Sequence, residues 1–353
     1  MLYKRLFLSV FIFPVYLFAQ NNYAFQHLTI EDGLLSNKTR SFQDAEGFYW
    51  FANLNGIQRF DGKNFITYKF YYNPSKLVKA DDRVSKPVED SEKNIWVINS
   101  EGINIFYRNA AKLLRVYMPD APDSNTNNVV AVIKDNKNKL WIITSKNIFI
   151  YNYRLHKPVL YSKIISDNSS GLQSAQYDET KNCFWILIAE TTHRIARFNI
   201  VTKQLSFPIK ETVNELLKSS DQIPFFMLDK SENLWIADYI GDFCRYDLTQ
   251  QKATLYNILH ARSSQILGAP NSTITDAIDD GNGSVWFSGD YYLGVLKYDK
   301  KTDKFYRQEN ENGSEYGLHY NQVVYNFSQD NENNIWINTD LGMNIFNPHA
   351  QVF

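Results

Sequence analysis

Asp44-Ala-Glu-Gly-Phe-Tyr-Trp50, near the start of the chain, returns as Asp90-Ser-Glu-Lys-Asn-Ile-Trp96 and, close to its end, as Asp330-Asn-Glu-Asn-Asn-Ile-Trp336. Between them the same phrase carries Trp141, Trp185, Trp235 and Trp286, so every one of the seven Trp belongs to one series. The spacings are 46, 45, 44, 50, 51 and 50 residues. Asp44, Asp90, Asp135, Asp229, Asp280 and Asp330 stand six positions before their Trp, and Asp178 stands seven before its own. The residue preceding each Trp is apolar: Tyr49, Ile95, Leu140, Phe184, Leu234, Val285 and Ile335. A period of this length built on Asp, turn, apolar, Trp indicates an array of β units, a propeller or a solenoid.

Each unit reads as four strands. A short β-rich run precedes the Asp, as in Thr39 to Gln43 or Val129 to Ile133. The Asp then opens a turn, where a carboxylate accepts backbone N–H groups. A second strand carries the Trp, a tight connection such as Asn53-Leu54-Asn55-Gly56 follows, and a third strand ends in an aromatic (Phe60, Tyr107, Tyr298). A fourth strand completes the unit, and no copy shows a long helical period. Units of this length and composition make propeller blades. The expected fold is therefore all-β: a single seven-bladed β-propeller over residues 23–353, with four antiparallel strands per blade. The chain ends soon after the third strand of the seventh copy. The strand-like run Tyr23 to Ile30 is expected to supply that blade's outer strand and close the ring, Gln351-Val352-Phe353 being the competing choice. Each Trp is expected to pack between neighbouring sheets, its N–H seeking a backbone carbonyl.

The 353 residues hold 37 basic and 38 acidic side chains, a net charge of −1, spread without long runs. That balance argues against a nucleic-acid partner, which calls for a basic face. Two cysteines, Cys183 and Cys244, exclude a disulfide framework and a Cys-rich zinc site. Lys4-Arg5 followed by the apolar stretch Leu6 to Phe18, then Ala19 before Gln20-Asn21-Asn22, reads as a signal peptide over 1–19. An uncleaved anchor is the alternative, although the stretch is short for a bilayer and Pro14 interrupts it. Cleavage would take the net charge to −3 and give a periplasmic protein with no later membrane span.

The run His27-Leu-Thr-Ile-Glu-Asp-Gly33-Leu34-Leu-Ser36-Asn37, then Asp44 to Trp50 and Gly56-Ile-Gln-Arg-Phe60-Asp61-Gly62, resembles a known family. It is similar to the two-component regulator propeller repeat of the periplasmic sensor regions of hybrid histidine kinases in gut and marine Bacteroidetes-type bacteria. The resemblance covers about residues 23 to 350. It implies a ring-closing N-terminal strand, a sensing role and an oligosaccharide ligand. Full-length relatives carry a second propeller, a transmembrane helix and a kinase core. This chain shows one propeller and no recognisable phosphoacceptor-His or ATP-binding region. It would supply the sensing half alone, non-catalytic, with a sensor kinase or a second copy of itself as partner, or else act as a free-standing binding protein.

Motifs for chemistry are sparse. There is no Gly-x-Ser-x-Gly elbow, phosphate-binding Gly-Lys-Ser/Thr loop, Gly-x-Gly-x-x-Gly or His-Glu-x-x-His. The six His are dispersed, and no cofactor is expected. The Asp turns resemble the sialidase Asp box with the Asp-to-Trp spacing off by one, and they are too short for an EF-type calcium loop. They read as structural turns. A propeller lyase or glycoside-acting enzyme, and a protein-interaction platform, remain the alternatives.

The extra residues of the longer periods fall in the blade-to-blade connections Phe207 to Asp221, Tyr256 to Ser272 and Arg307 to Gln322. Loops on a rigid scaffold are where binding concentrates. On the same face, the tips of the second-to-third-strand hairpins offer Asn53, Asn55, Asn99, Asp238, Tyr239, Asp290, Tyr291 and Asp340. Amides, carboxylates and flat rings together suit a carbohydrate, and solvated turn residues are the plainer reading of the same set.

Overall fold

The computed structural model describes residues 23–70, 84–99, 102–119, 129–165, 171–189, 193–209, 225–237, 243–256, 274–289, 293–308, 311–321 and 323–350. The signal segment and Gln351 to Phe353 lie outside them. Seven four-stranded antiparallel sheets follow one another, and in six of them the four strands are consecutive in the chain. The seventh takes three consecutive strands and adds Gln26–Leu28 at its outer edge, in register Gln26 to Ile345, His27 to Asn344 and Leu28 to Met343. The ring is thus closed by the N-terminal strand, and a sheet edge that would otherwise template aggregation is paired. Gly342 permits the approach: it sits at φ +119°, and a Cβ there would lie 2.7 Å from the Leu28 carbonyl oxygen.

The first strand of each blade is the inner one. Six are Arg40–Gln43, Val129–Lys134, Gly171–Asp178, Phe225–Leu228, Ile274–Asp279 and Val324–Gln329; in blade 2 only Val88–Glu89 pairs. Inner strands approach one another closely at every junction around the central channel except that of blades 1 and 2, where the paired inner strand of blade 2 is short.

All seven Trp are buried, and each packs onto the next blade in the chain. Trp50 meets Ile95, Val97 and Phe106 of blade 2, Trp96 meets Leu140 and Ile142 of blade 3, and Trp336 meets Leu34 and Phe51 of blade 1. Burying so large a ring contributes several kcal/mol, about 3–5 for truncation to Ala. The indole N–H, however, does not go to a backbone carbonyl. In every blade it donates to the turn carboxylate, at 2.6 Å from Asp44, 2.8 Å from Asp90 and Asp135, 3.2 Å from Asp178, 2.9 Å from Asp229, 3.2 Å from Asp280 and 3.0 Å from Asp330. The near-constant interval brings the box carboxylate to the ring, and an ionised acceptor makes the stronger bond.

The second carboxylate oxygen holds the turn. Asp135 Oδ1 accepts the N–H of Lys137 (2.8 Å) and of Lys139 (2.9 Å), and Asp90, Asp229, Asp280 and Asp330 repeat the pair. One buried carboxylate thereby fixes a hairpin and a core ring together. The residue just before the box Asp stitches blades: Glu89, Asp279 and Gln43 accept the first turn N–H of the preceding blade, from Ala45, Lys230 and Asn331.

Candidate functional site

Two faces result. One carries the seven Asp turns. The other carries the second-to-third-strand hairpins and the blade-to-blade connections, and there the copies diverge. Of the eight residues named from the sequence, Asp238, Tyr239, Asp290 and Tyr291 lie outside the described residues, as do the connections 210–224 and 257–273. Asn53, Asn55, Asn99 and Asp340 occupy equivalent hairpin ends on three adjacent blades, 1, 2 and 7.

Asn53 is buried, and its Oδ1 accepts the Asn55 N–H at 2.8 Å, so it shapes the turn. Asn55 is exposed at the tip, while Asn99 is buried. Asp340 is half-buried and accepts the Asn321 N–H at 2.9 Å, tying down the connection before blade 7. Asn53 and Asp340 hold loops, and of the four only Asn55 is fully open to solvent.

The blade 7–1 junction on this face is rich in amides. Asn338 Nδ2 donates to the Asn37 carbonyl (2.8 Å), Asn326 Nδ2 to the Thr39 carbonyl (3.2 Å), and Thr39 Oγ1 to the Ala52 carbonyl (2.9 Å). Asn37 Oδ1, Asn326 Oδ1 and Asn53 Nδ2 are buried there without a hydrogen-bond partner. Buried polar atoms are ordinarily paired.

Residues 311–321 form the described part of the connection into blade 7. Leu318 and Tyr320 anchor it in the core beside Phe25 and Phe346, Phe25 N donates to the Tyr316 carbonyl, and the Asn312 amide pairs with Tyr320 and Asn321. His319 stacks on His27 of the closing strand, centroids 3.9 Å apart and planes 1° from parallel. Burial, reinforced by His319, lowers the His27 pKa, while Asn344, Glu315 and Asp32 oppose the shift. Local spacing among the six His gave no sign of this pair; only ring closure brings the two residues together.

Elsewhere the chemistry is structural. Among the described residues no group of three His, Cys, Asp or Glu is placed to hold a metal ion. Asp280, the tempting calcium residue, spends its oxygens on Asn282, Ser284 and Trp286. Cys183 and Cys244 are free and buried, and burial pushes their thiols up to about 12 and about 11, which suppresses the nucleophilic thiolate. Between blades 5 and 6, Asp303 accepts from Tyr298 (2.6 Å) and Tyr256 (2.7 Å) beside Arg245. Those phenol bonds hold the Asp303 carboxyl below the usual range, and burial raises both phenols, so none is a base poised near neutrality.

No family model and no curated sequence matches the chain. Solved structures do. The extracellular domain of the putative hybrid two-component system BT3049 from B. thetaiotaomicron superposes with a TM-score of 0.66 at 21% identity, over 92% of this chain and 42% of that one. The corresponding domain of BT4673, from the same organism, gives 0.68 at 18% identity, over 94% and 44%. A streptogramin B lyase gives 0.62 at 13% identity, over 92% and 98%. The chain spans less than half the length of these two extracellular domains. At these identities the likeness establishes the fold: an all-β, seven-bladed propeller of the kind found in those extracellular domains.

Proposed function

We propose that this chain is an exported, ligand-sensing propeller that recognises an oligosaccharide on its loop face and does no chemistry itself. The observation that carries the reading is the likeness to extracellular domains of putative two-component systems over nearly the whole chain. The repeat motif quoted from the first blade points the same way. The exposed Asn55 amide and the half-buried Asp340 carboxylate at the hairpin ends of blades 1 and 7 support the ligand class, since such groups supply the donors and acceptors that pair with sugar hydroxyls. On this reading the protein is periplasmic, resides beyond the membrane after removal of residues 1–19, and passes its signal to a sensor kinase or to a second copy. Among the described residues, no helix is long and apolar enough to cross a membrane.

The test is a panel of glycan fragments added to folded protein. A thermal shift and a calorimetric signal for at least one fragment support sensing; a silent panel removes the oligosaccharide. The lyase likeness, which spans almost all of both chains, favours a second reading. It predicts product release from the same panel, abolished by replacing a channel carboxylate or His. A third reading, a protein-interaction platform, predicts a partner captured from periplasm with the glycan panel silent.

A further inference from the structure

Counting back four residues from the box Asp gives Arg40, Lys86, Ala131, Ser174, Phe225, Asp276 and Asn326 in blades 1 to 7. Each lies on the inner strand or its entry, so the position recurs once per blade at one height around the channel. In blades 3, 4, 6 and 7 the inner strand slips register immediately before it, inserting residues 130, 173, 275 and 325 as the extra residue of a bulge. A bulge of this kind re-aims the side chain that follows and is common beside functional sites.

The charges at this level are unevenly satisfied. Asp276 accepts the Phe327 N–H of blade 7 at 2.8 Å and the Ala277 N–H at 2.9 Å. Asn326 spends its Nδ2 on the Thr39 carbonyl and on Asn338 Oδ1. Arg40 and Lys86, on adjacent blades, have no side-chain hydrogen bond or ion pair among the described residues. Lys86 is exposed to water and Arg40 partly so. Nevertheless desolvation is the foremost cause that lowers the Lys86 pKa, with Asp276 opposing and Arg40 adding. An ammonium that is open to water yet desolvated has protein close around it, as expected for a side chain at the entry of an inner strand. Arg40 and Lys86 carry like charges on adjacent blades, and Arg40 adds to the desolvation that disfavours the Lys86 ammonium; a bound anion relieves both.

We propose that the channel, at the level of Arg40 and Lys86, is an anion site that takes a single oxyanion: a carboxylate, sulfate or phosphate, free or borne by a larger ligand entering from the loop face. Arg40 supplies a planar fork suited to two oxygens, and Lys86 a point charge. Asp276 of blade 6, the foremost charge acting on Lys86, competes with the anion for it. The inference does not rest on the oligosaccharide reading, because inorganic ions test it.

Calorimetry at low ionic strength would use sulfate, phosphate, galacturonate and, as a neutral control, galactose. Saturable binding of an anion is expected, weakened roughly tenfold or more by Arg40→Gln and by Lys86→Gln, the loss expected for a charged hydrogen bond. Asp276→Asn is expected to strengthen it several-fold. Tighter binding of galacturonate than of sulfate identifies an acidic saccharide as the source of the anion; the reverse identifies a free inorganic ion. Tryptophan circular dichroism verifies that each variant is folded. For any variant that does not fold, wild-type melting in sulfate against chloride of matched ionic strength replaces it, with a specific sulfate stabilisation expected. No anion binding, equal affinity in the folded cation variants and wild type, or identical melting in the two salts would overturn the proposal.

Discussion

The two faces of the ring are built by opposite rules. On the Asp-turn face the seven copies agree in the carboxylate and the indole donor, and all but blade 4 agree in the turn N–H groups. On the loop face they disagree, in length from blade 4 onwards and in hairpin tips everywhere. Repetition with every polar atom paired is what a scaffold needs. A site needs groups left over, and such groups occur at the blade 7–1 junction and at the Arg40–Lys86 level of the channel. A repeated motif in a propeller is thus evidence about architecture, and its exceptions are evidence about function.

Substitutions should separate the faces by magnitude. Asp135→Ala strips two turn N–H groups and the Trp141 indole of their acceptor in a buried place, and is expected to cost about 3–5 kcal/mol in urea denaturation. Gly342→Ala puts a Cβ against the Leu28 carbonyl at a positive φ, and is expected to cost about 2–3 kcal/mol while loosening the closing strand, seen as faster amide exchange in residues 26–28.

His27 gives a pH signature. Its native pKa lies below the ordinary 6.5, so the unfolded chain binds the proton more readily. Stability is therefore full above about pH 6.5 and falls as pH drops through 6.5 towards the depressed native value. Melting temperatures between pH 7.5 and 5 should show that fall, and His27→Gln should flatten it. Lys93 holds the third position after its box Asp at φ 67°, where blades 1 and 6 use Gly47 and Gly283. Lys93→Gly is expected to add about 0.5–1 kcal/mol by relieving the left-handed backbone. Asn55→Ala, at an exposed hairpin tip, should move stability by less than about 0.5 kcal/mol. A large loss there would erase the contrast between the faces.

The fold was legible because Trp and Asp mark every blade, and the fourth blade shows how far the rule stretches. Its spacing of seven is absorbed in the turn, where Lys181 rather than the second residue donates to Asp178 and Asn182 takes φ 47°, yet the Trp185 bond survives. The destination of the indole N–H was also present in the spacing, since a constant Asp-to-Trp interval places carboxylate and ring on the same edge of the hairpin. The candidate site was less legible. Asn53 and Asp340 were visible as polar tips, but whether such a residue binds a ligand or holds its own loop depends on partners far along the chain, such as Asn321. The His27–His319 stack depends on ring closure, which no local window contains. The Arg40–Lys86–Asp276 level emerges only when blades are aligned on their Asp and the bulges set the height.

The central claim is that one face is scaffold and the other receives the ligand. Hydrogen–deuterium exchange with and without a bound glycan fragment tests it most directly. The account predicts protection confined to the hairpin tips and connections of the loop face, with amides 45–48, 136–139 and 331–334 of the Asp turns unchanged. Protection centred on those turns would contradict it.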